Sequence, residues 1–279
     1  TVGGELDNLY QLFCNLHLVD NKLLEELGDT LKTAIAELLI ALPVYRFYSN
    51  HIPLEEDEET EIKKLLDSIK IKKPQVKLAV NTLEDVLLSK PKPYTTTEDY
   101  YQRVLQFYKR CMQFTGPLMA KGNEDTLMYT YNRFLGHNDV GDTALTFNLP
   151  IKAFHEKMKV RETSYPLSQN ATSTHDTKRG EDVRARLSVL TDLTEQWREL
   201  VHTWDEISSN ITDVDENDKY HIYQMIAGTY PMPGKIVQNT NFAERLKAYA
   251  TKALREGKQN SSWASPNETY ETSVHNLID

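Results

Sequence analysis

Apolar residues recur three or four positions apart through most of the 279-residue chain, a spacing that commits it to amphipathic helices packed on one another. Leu9, Phe13 and Leu16 share one face of a first helix. Leu31, Ile35, Leu38, Leu39 and Leu42 make a stronger second stripe, stopped by Pro43. Ile62, Leu65, Leu66 and Ile69 predict a third helix, entered through the acidic run Glu55 to Glu61, which reads as a solvated helix start. Val76, Val80, Leu83 and Leu87 predict a fourth, with Pro74 near its beginning, and Lys90-Pro91-Lys92-Pro93 is a break. Thr97 is a good N-cap for a fifth carrying Tyr101, Val104, Leu105, Tyr108 and Met112. None of these faces carries a chemical constellation, so residues 1–113 read as a helical subdomain whose work is packing.

The texture changes at Phe114. A strand-like stretch, 114–122, runs into Lys121, Glu124 and Asp125, and then into Tyr129, Tyr131, Asn132 and Arg133. A second, Ala171-Thr172-Ser173-Thr174, runs straight into eight ionisable side chains within the twelve positions from His175 to Arg186. A carboxylate leaving a strand end beside a histidine is how many (β/α)8 enzymes present a catalytic group. An ion-paired turn and a plain strand–turn–helix joint are the alternatives that charge pattern leaves open. Between the two, residues 136–170 read as a long loop with one short helix near Ile151–Met158.

Past the second stretch, Val183, Leu187 and Leu190 begin a helix, and Lys178 and Asp182 are spaced for an i,i+4 pair. Trp197, Leu200, Val201 and Trp204 form a stripe that reads as core in preference to a sugar platform. The acidic loop Asp213 to Lys219 lacks the glycine and terminal glutamate of an EF-hand, so no calcium is assigned. Phe242, Leu246, Tyr249 and Ala253 share a helix that Gly257 can end, and Ser265-Pro266-Asn267-Glu268 has the form of a capping box. The expected divisions are 1–113, 114–190 and 191–279, and the expected class is mainly α, a helical bundle with two short β-strands.

Composition narrows the function. A net charge of -9 argues against nucleic acid, whose phosphates demand a basic face. The longest apolar run, Leu38 to Val44, is far short of the ~20 residues of a membrane span. Two cysteines suit a reducing cytoplasm, and the eight histidines show no metal-ligand spacing.

The wording of the second stretch, Ala171 to Leu187, closely resembles the fourth conserved motif of the α-amylase superfamily, in the form found in maltooligosyltrehalose synthases. Met119-Ala120-Lys121-Gly122, Glu124-Asp125-Thr126 and Tyr131-Asn132-Arg133 are similar to that family's sixth strand and its loop. Tyr223-Gln224, Arg245 to Tyr249, Lys252-Ala253 and Ser262-Trp263 stand in the family's order. Two departures stand out. Gly180 replaces a usual serine, and Asn138-Asp139-Val140-Gly141-Asp142 replaces an Asn-Glu-Val-Gly-Gly turn.

The resemblance implies that His175 and Asp176 end the seventh strand of a (β/α)8 barrel. Asp176 would be the third catalytic carboxylate, holding sugar hydroxyls and stabilising the transition state. His175, Lys178, Lys121, Glu124, Asp125 and Arg133 would bind substrate. It implies a retaining displacement that converts the reducing-end α-1,4 linkage of a maltooligosaccharide into an α,α-1,1 linkage, without metal or cofactor. The nucleophile and general acid would lie upstream, the eighth strand beyond Asp279, and the isolated chain would be an inactive internal fragment. The other reading is a free-standing helical module that binds carbohydrate or protein.

Overall fold

The computed structural model describes residues 3–88, 97–142, 148–232 and 241–279. The Lys90–Pro93 break lies outside the described residues. The chain divides into two compact units, residues 1–121 and 122–279, each with its own apolar core.

The first unit is built from α1 (Gly3–Asn15), α2 (Asn21–Leu27), α3 (Asp29–Ala41), α4 (Glu56–Lys72), α5 (Lys77–Leu87) and α6 (Glu98–Met119). α3 is its hub because Leu31, Ala34, Ile35, Leu38 and Leu39 bury more than one face, against α1, α4, α5 and α6. Phe13 meets Phe107 edge to face at 5.1 Å between ring centroids. Pro74 opens a single 3-10 turn before α5, where its missing N–H costs nothing. Thr97 caps α6 as expected, accepting from the Tyr100 N–H at 3.3 Å.

The acidic run is only partly a solvated face. Glu58 turns inward and accepts hydrogen bonds from the Tyr48 N–H at 2.7 Å, the Ser49 N–H at 3.1 Å and the Tyr108 hydroxyl at 2.7 Å. Burial alone would raise its pKa. The Tyr108 hydrogen bond and the two N–H donors outweigh that and hold the carboxyl below its ordinary range.

The stretch 114–122 is not a strand here. Phe114 and Leu118, four apart, continue the apolar stripe of α6 onto the first core, so the helical period wins. Pro117 sits inside the helix, where it removes a backbone donor. A π-helical segment, Ala120–Leu127, follows directly.

The second unit comprises α7 (Met128–Thr130, one turn), a 3-10 turn (Leu135–His137), α8 (Ile151–Ser164), α9 (Glu181–Val189), α10 (Thr194–Ile207), α11 (Glu216–Thr229), α12 (Phe242–Gly257) and α13 (Glu268–Ile278). Its core joins Leu135, Leu187, Ile222, Met225, Leu246 and Val274. Gly228 lets α11 press against α9, since a Cβ there would stand 2.8 Å from Val183 Cγ1. The helix expected near Ile151–Met158 extends to Ser164.

Residues 171–176 also form no strand, and no strand occurs among the described residues. A strand needs a neighbour for its backbone groups. With none beside it, this stretch turns to its own hydroxyls. Thr174 N–H donates to Thr177 Oγ1 at 3.2 Å, and Glu181 N–H to Ser173 Oγ at 3.0 Å.

Three smaller expectations change. α13 is capped by Asn267, whose Oδ1 accepts from the Tyr270 N–H at 3.2 Å, and not by Ser265. Gly257 is the last helical residue of α12, and the left-handed residue that ends it is Lys258. Trp197 and Trp204 are half-buried. Trp197 donates to the Tyr220 hydroxyl at 3.1 Å and Trp204 packs edge-on to Tyr223, so α10 uses them to lie on α11. The mainly helical class stands.

Candidate functional site

The stretch from Ala171 to Leu187 splits into two parts of opposite character. His175 and Asp176 are exposed at the tip of the Thr174–Thr177 turn, closed by Thr177 Oγ1 donating to the Thr174 carbonyl at 2.7 Å. Neither side chain makes a hydrogen bond or ion pair among the described residues. Lys178 and Arg179, which follow at once, are held on every side.

Lys178 Nζ lies 2.7 Å from Asp125 Oδ1 and 5.9 Å from the centroid of the Tyr129 ring. Its side chain is 7% exposed, so this ion pair is shielded from water on the lysine side. The expected pair with Asp182 is therefore replaced: Lys178 precedes α9 and cannot follow helical spacing. The Lys178 N–H donates to Asp139 Oδ1 at 3.3 Å. Asp139 Oδ1 also accepts from the Val140 N–H at 2.7 Å, and Oδ2 is 3.5 Å from Arg184 Nη1. Asp139 is one of the positions that departs from the family's turn, and its carboxylate anchors the turn's base.

Arg179 is 4% exposed, and neutral acceptors surround its guanidinium. Nη1 donates to the Asn138 carbonyl at 3.1 Å and Nη2 to the Tyr249 hydroxyl at 2.8 Å. The imidazole of His221 is 3.5 Å from Nη2, with its Nε2 3.0 Å from the Tyr249 hydroxyl. Burial, then the positive charge of Arg179, pushes His221 down to about 3, so it is neutral at physiological pH. A neutral Nε2 accepts the Tyr249 proton, which leaves the phenol oxygen lone pairs for Arg179. Beneath this, Gln224 bridges the Asn132 carbonyl at 2.7 Å and the Leu135 N–H at 2.8 Å. The 131–138 segment is thus tied to α11, and through Arg179 to α12.

The structure brings Lys178 and Asp125 together, joining the two sequence segments singled out for chemistry. Of the other candidate substrate-binding residues, Glu124 is buried at 5% exposure, whereas Arg133 and Lys121 are exposed, Lys121 within the π-helical segment. Asp139, His221 and Tyr249 were missed as site residues. Their signals lay in the Asn138–Asp142 turn and in the α11 and α12 wording, but no spacing rule links residues 70 positions apart. No group of three or more His, Cys, Asp or Glu positioned to hold a metal occurs among the described residues.

No protein-family profile matches the chain. A provisionally named maltooligosyl trehalose synthase of Mycobacterium tuberculosis is 34% identical over 170 residues, covering 61% of this chain and 22% of that protein. The solved maltooligosyltrehalose synthase from Arthrobacter ramosus aligns with a TM-score of 0.70 at 27% identity, covering 92% of this chain and 30% of that one. The Sulfolobus tokodaii protein of the same provisional name aligns at 0.68 and 27%, covering 99% of this chain and 36% of that one. The chain thus spans about a fifth of the curated relatives and about a third of the solved ones. By these likenesses the chain is similar to part of the maltooligosyl trehalose synthases.

Proposed function

We propose that the whole protein carrying this chain is a maltooligosyl trehalose synthase, an intramolecular transglucosylase acting on maltooligosaccharides, and that this chain supplies one of its catalytic carboxylates, Asp176. The observation that carries the reading is the turn itself. An unengaged His–Asp pair stands in solvent, followed one residue later by a lysine and an arginine fixed by at least five polar contacts. An imidazole and a carboxylate without protein partners keep their hydrogen-bonding capacity for a ligand, and the anchored 178–179 segment fixes where the turn presents them.

The chemistry follows from what such a carboxylate can do. In a retaining displacement one carboxylate attacks the anomeric carbon and a carboxylic acid protonates the leaving oxygen, the two ~5–5.5 Å apart. We assign both to parts of the whole protein other than this chain, in a (β/α)8 barrel where residues 171–176 would gain the strand neighbours they lack here. Asp176 accepts hydrogen bonds from ring hydroxyls whose acidity rises as the oxocarbenium ion develops, so its grip tightens in the transition state. His175 shares those hydroxyls, and Lys178, Asp125, Lys121, Glu124 and Arg133 serve the adjoining sugar. The freed glucose turns, and its anomeric hydroxyl oxygen attacks the anomeric carbon of the glycosyl–enzyme ester, releasing the nucleophilic carboxylate while the former general acid takes the hydroxyl proton, so no water enters. Both cysteines are free thiols, in keeping with the cytoplasm we assign to the protein. No helix among the described residues is long and apolar enough to cross a membrane.

Incubating the whole protein with maltopentaose tests this. Reducing ends should disappear without matching release of glucose. Hydrolysis alone, or no change in either, would refute the reading.

A further inference from the structure

A second polar site lies elsewhere in the same unit. The Tyr129–Thr130 turn, the N-terminal end of α11 and the residues that end α12 enclose a cavity of about 330 Å³. Tyr129, Asn217, Asp218, Gly257, Gln259 and Asn260 are among its lining residues. No lysine or arginine is among its lining residues, and Asp215 and Asp218 repel an anion. Two carboxylates, three carboxamides and a phenol ring are the groups that pair with vicinal hydroxyls and cover a sugar's apolar face. The volume falls at the low end of the roughly 300–1,000 Å³ of small-ligand sites.

The lining is already held in place. Asp218 Oδ2 accepts from the Tyr270 hydroxyl at 2.6 Å and from Asn260 Nδ2 at 2.9 Å, and Oδ1 accepts neither. The Tyr270 hydroxyl in turn accepts from the Asp215 N–H at 3.0 Å. Asn217 donates to the Thr130 carbonyl at 2.9 Å, fixing α11 to the opposite wall. Gly257 permits that wall to close up, because a Cβ there would lie 3.1 Å from Thr130 Cγ2. Burial raises the pKa of Asp218 against the lowering effect of Tyr270 and Asn260. A carboxylate whose charged form folding disfavours weakens the fold at neutral pH, which a ligand role would account for.

We propose that this cavity is a glucosyl-binding subsite separate from the His175–Asp176 turn, with Asp218 and Asn260 taking sugar hydroxyls. The choice of a glucosyl ligand rests on the function proposed above. The placement of the site rests on the cavity alone.

Titration of the 279-residue chain with maltose, by calorimetry and by the Asn260 side-chain amide resonances, tests it. Binding with a Kd of about 1 mM is expected, with those resonances shifting in step. Asp218→Asn should raise the Kd about tenfold with the melting temperature unchanged or higher, and Arg198→Gln, on the exposed face of α10 away from both sites, should leave the Kd unaltered. Binding lost in Asp176→Asn but kept in Asp218→Asn would overturn the cavity while sparing the reading of the turn. Absence of binding up to roughly 0.1 M maltose would also overturn it, as would a response of the Asn260 amide to calcium chloride and not to maltose. If the whole protein failed the maltopentaose assay while the cavity still bound maltose as described, the function would fall and the site would stand.

Discussion

Asp176→Asn in the whole protein is expected to lower turnover on maltooligosaccharides by roughly 10³-fold or more and to leave the melting temperature nearly unchanged. The structural half follows from exposure. The Asp176 carboxylate makes no hydrogen bond or ion pair among the described residues, and its N–H reaches Thr174 Oγ1 at 3.4 Å whichever side chain is present. Asparagine keeps the shape and one acceptor oxygen but loses the charge. A loss of 10³ corresponds to about 4 kcal/mol of transition-state stabilisation. That is the scale of a preorganised charge acting where charge develops. Because the interaction strengthens only as the oxocarbenium ion forms, kcat should fall much more than KM rises. Near-normal turnover in this variant would remove Asp176 from the mechanism.

Arg179→Met should be the most damaging single change in the second unit. It fills most of the same space but strips a buried site of its donors, leaving the Asn138 carbonyl unsatisfied and reducing the Tyr249 hydroxyl to its bond with His221. A buried acceptor left unsatisfied costs ~1–3 kcal/mol and the lost charge-assisted bond to Tyr249 adds to it, so a total of about 3 kcal/mol and a fall in melting temperature of roughly 6–12 °C are expected. Arg179→Lys should not rescue it, because a single ammonium cannot reach both acceptors and the His221 side as the planar fork does.

The same variant has a pH signature. His221 is held down to about 3 by burial and then by Arg179, against an ordinary value of 6.5. Between those values the unfolded chain takes up a proton that the folded one refuses. Stability therefore falls as pH drops from about 6.5 towards 3. Without the guanidinium, the folded pKa of His221 should rise, though burial keeps it below 6.5. The acid-dependent loss then becomes smaller and ends at a higher pH. Denaturant unfolding at pH 7 and pH 4 measures this directly. An equal drop in wild type and variant would mean that Arg179 does not act on His221.

Much of the first unit was legible because local pattern and tertiary packing agree there. The stripes of α3, α4, α5 and α6 bury the residues that their spacing selects, except Leu65, which is half-buried at the edge of the core. The stretches 114–122 and 171–176 were harder for opposite reasons. Phe114 and Leu118 fit a helix as well as a strand, and the neighbouring helix decides between them. Ala171 to Thr174 has strand-like residue types, but a strand is a property of pairs, and hydroxyl groups close the turn instead. His175, Asp176 and Lys178 were recognisable from their dense charge and family wording. The Arg179–His221–Tyr249 cluster was not, because it is assembled from three elements and its members look like ordinary polar residues one at a time. Glu58 shows the same limit, since an acidic run gives no hint of which carboxylate turns inward to meet backbone N–H groups.

If the His175–Asp176 turn holds the reacting sugar as proposed, the crystal structure of the whole protein carrying Asp176→Asn, soaked with maltopentaose, should show a glucosyl unit with two adjacent hydroxyls ~2.6–3.2 Å from the residue 176 side chain. His175 should lie on the same ring, with the 178–179 anchor unmoved. A sugar bound with residue 176 several ångströms from every hydroxyl would contradict the proposal.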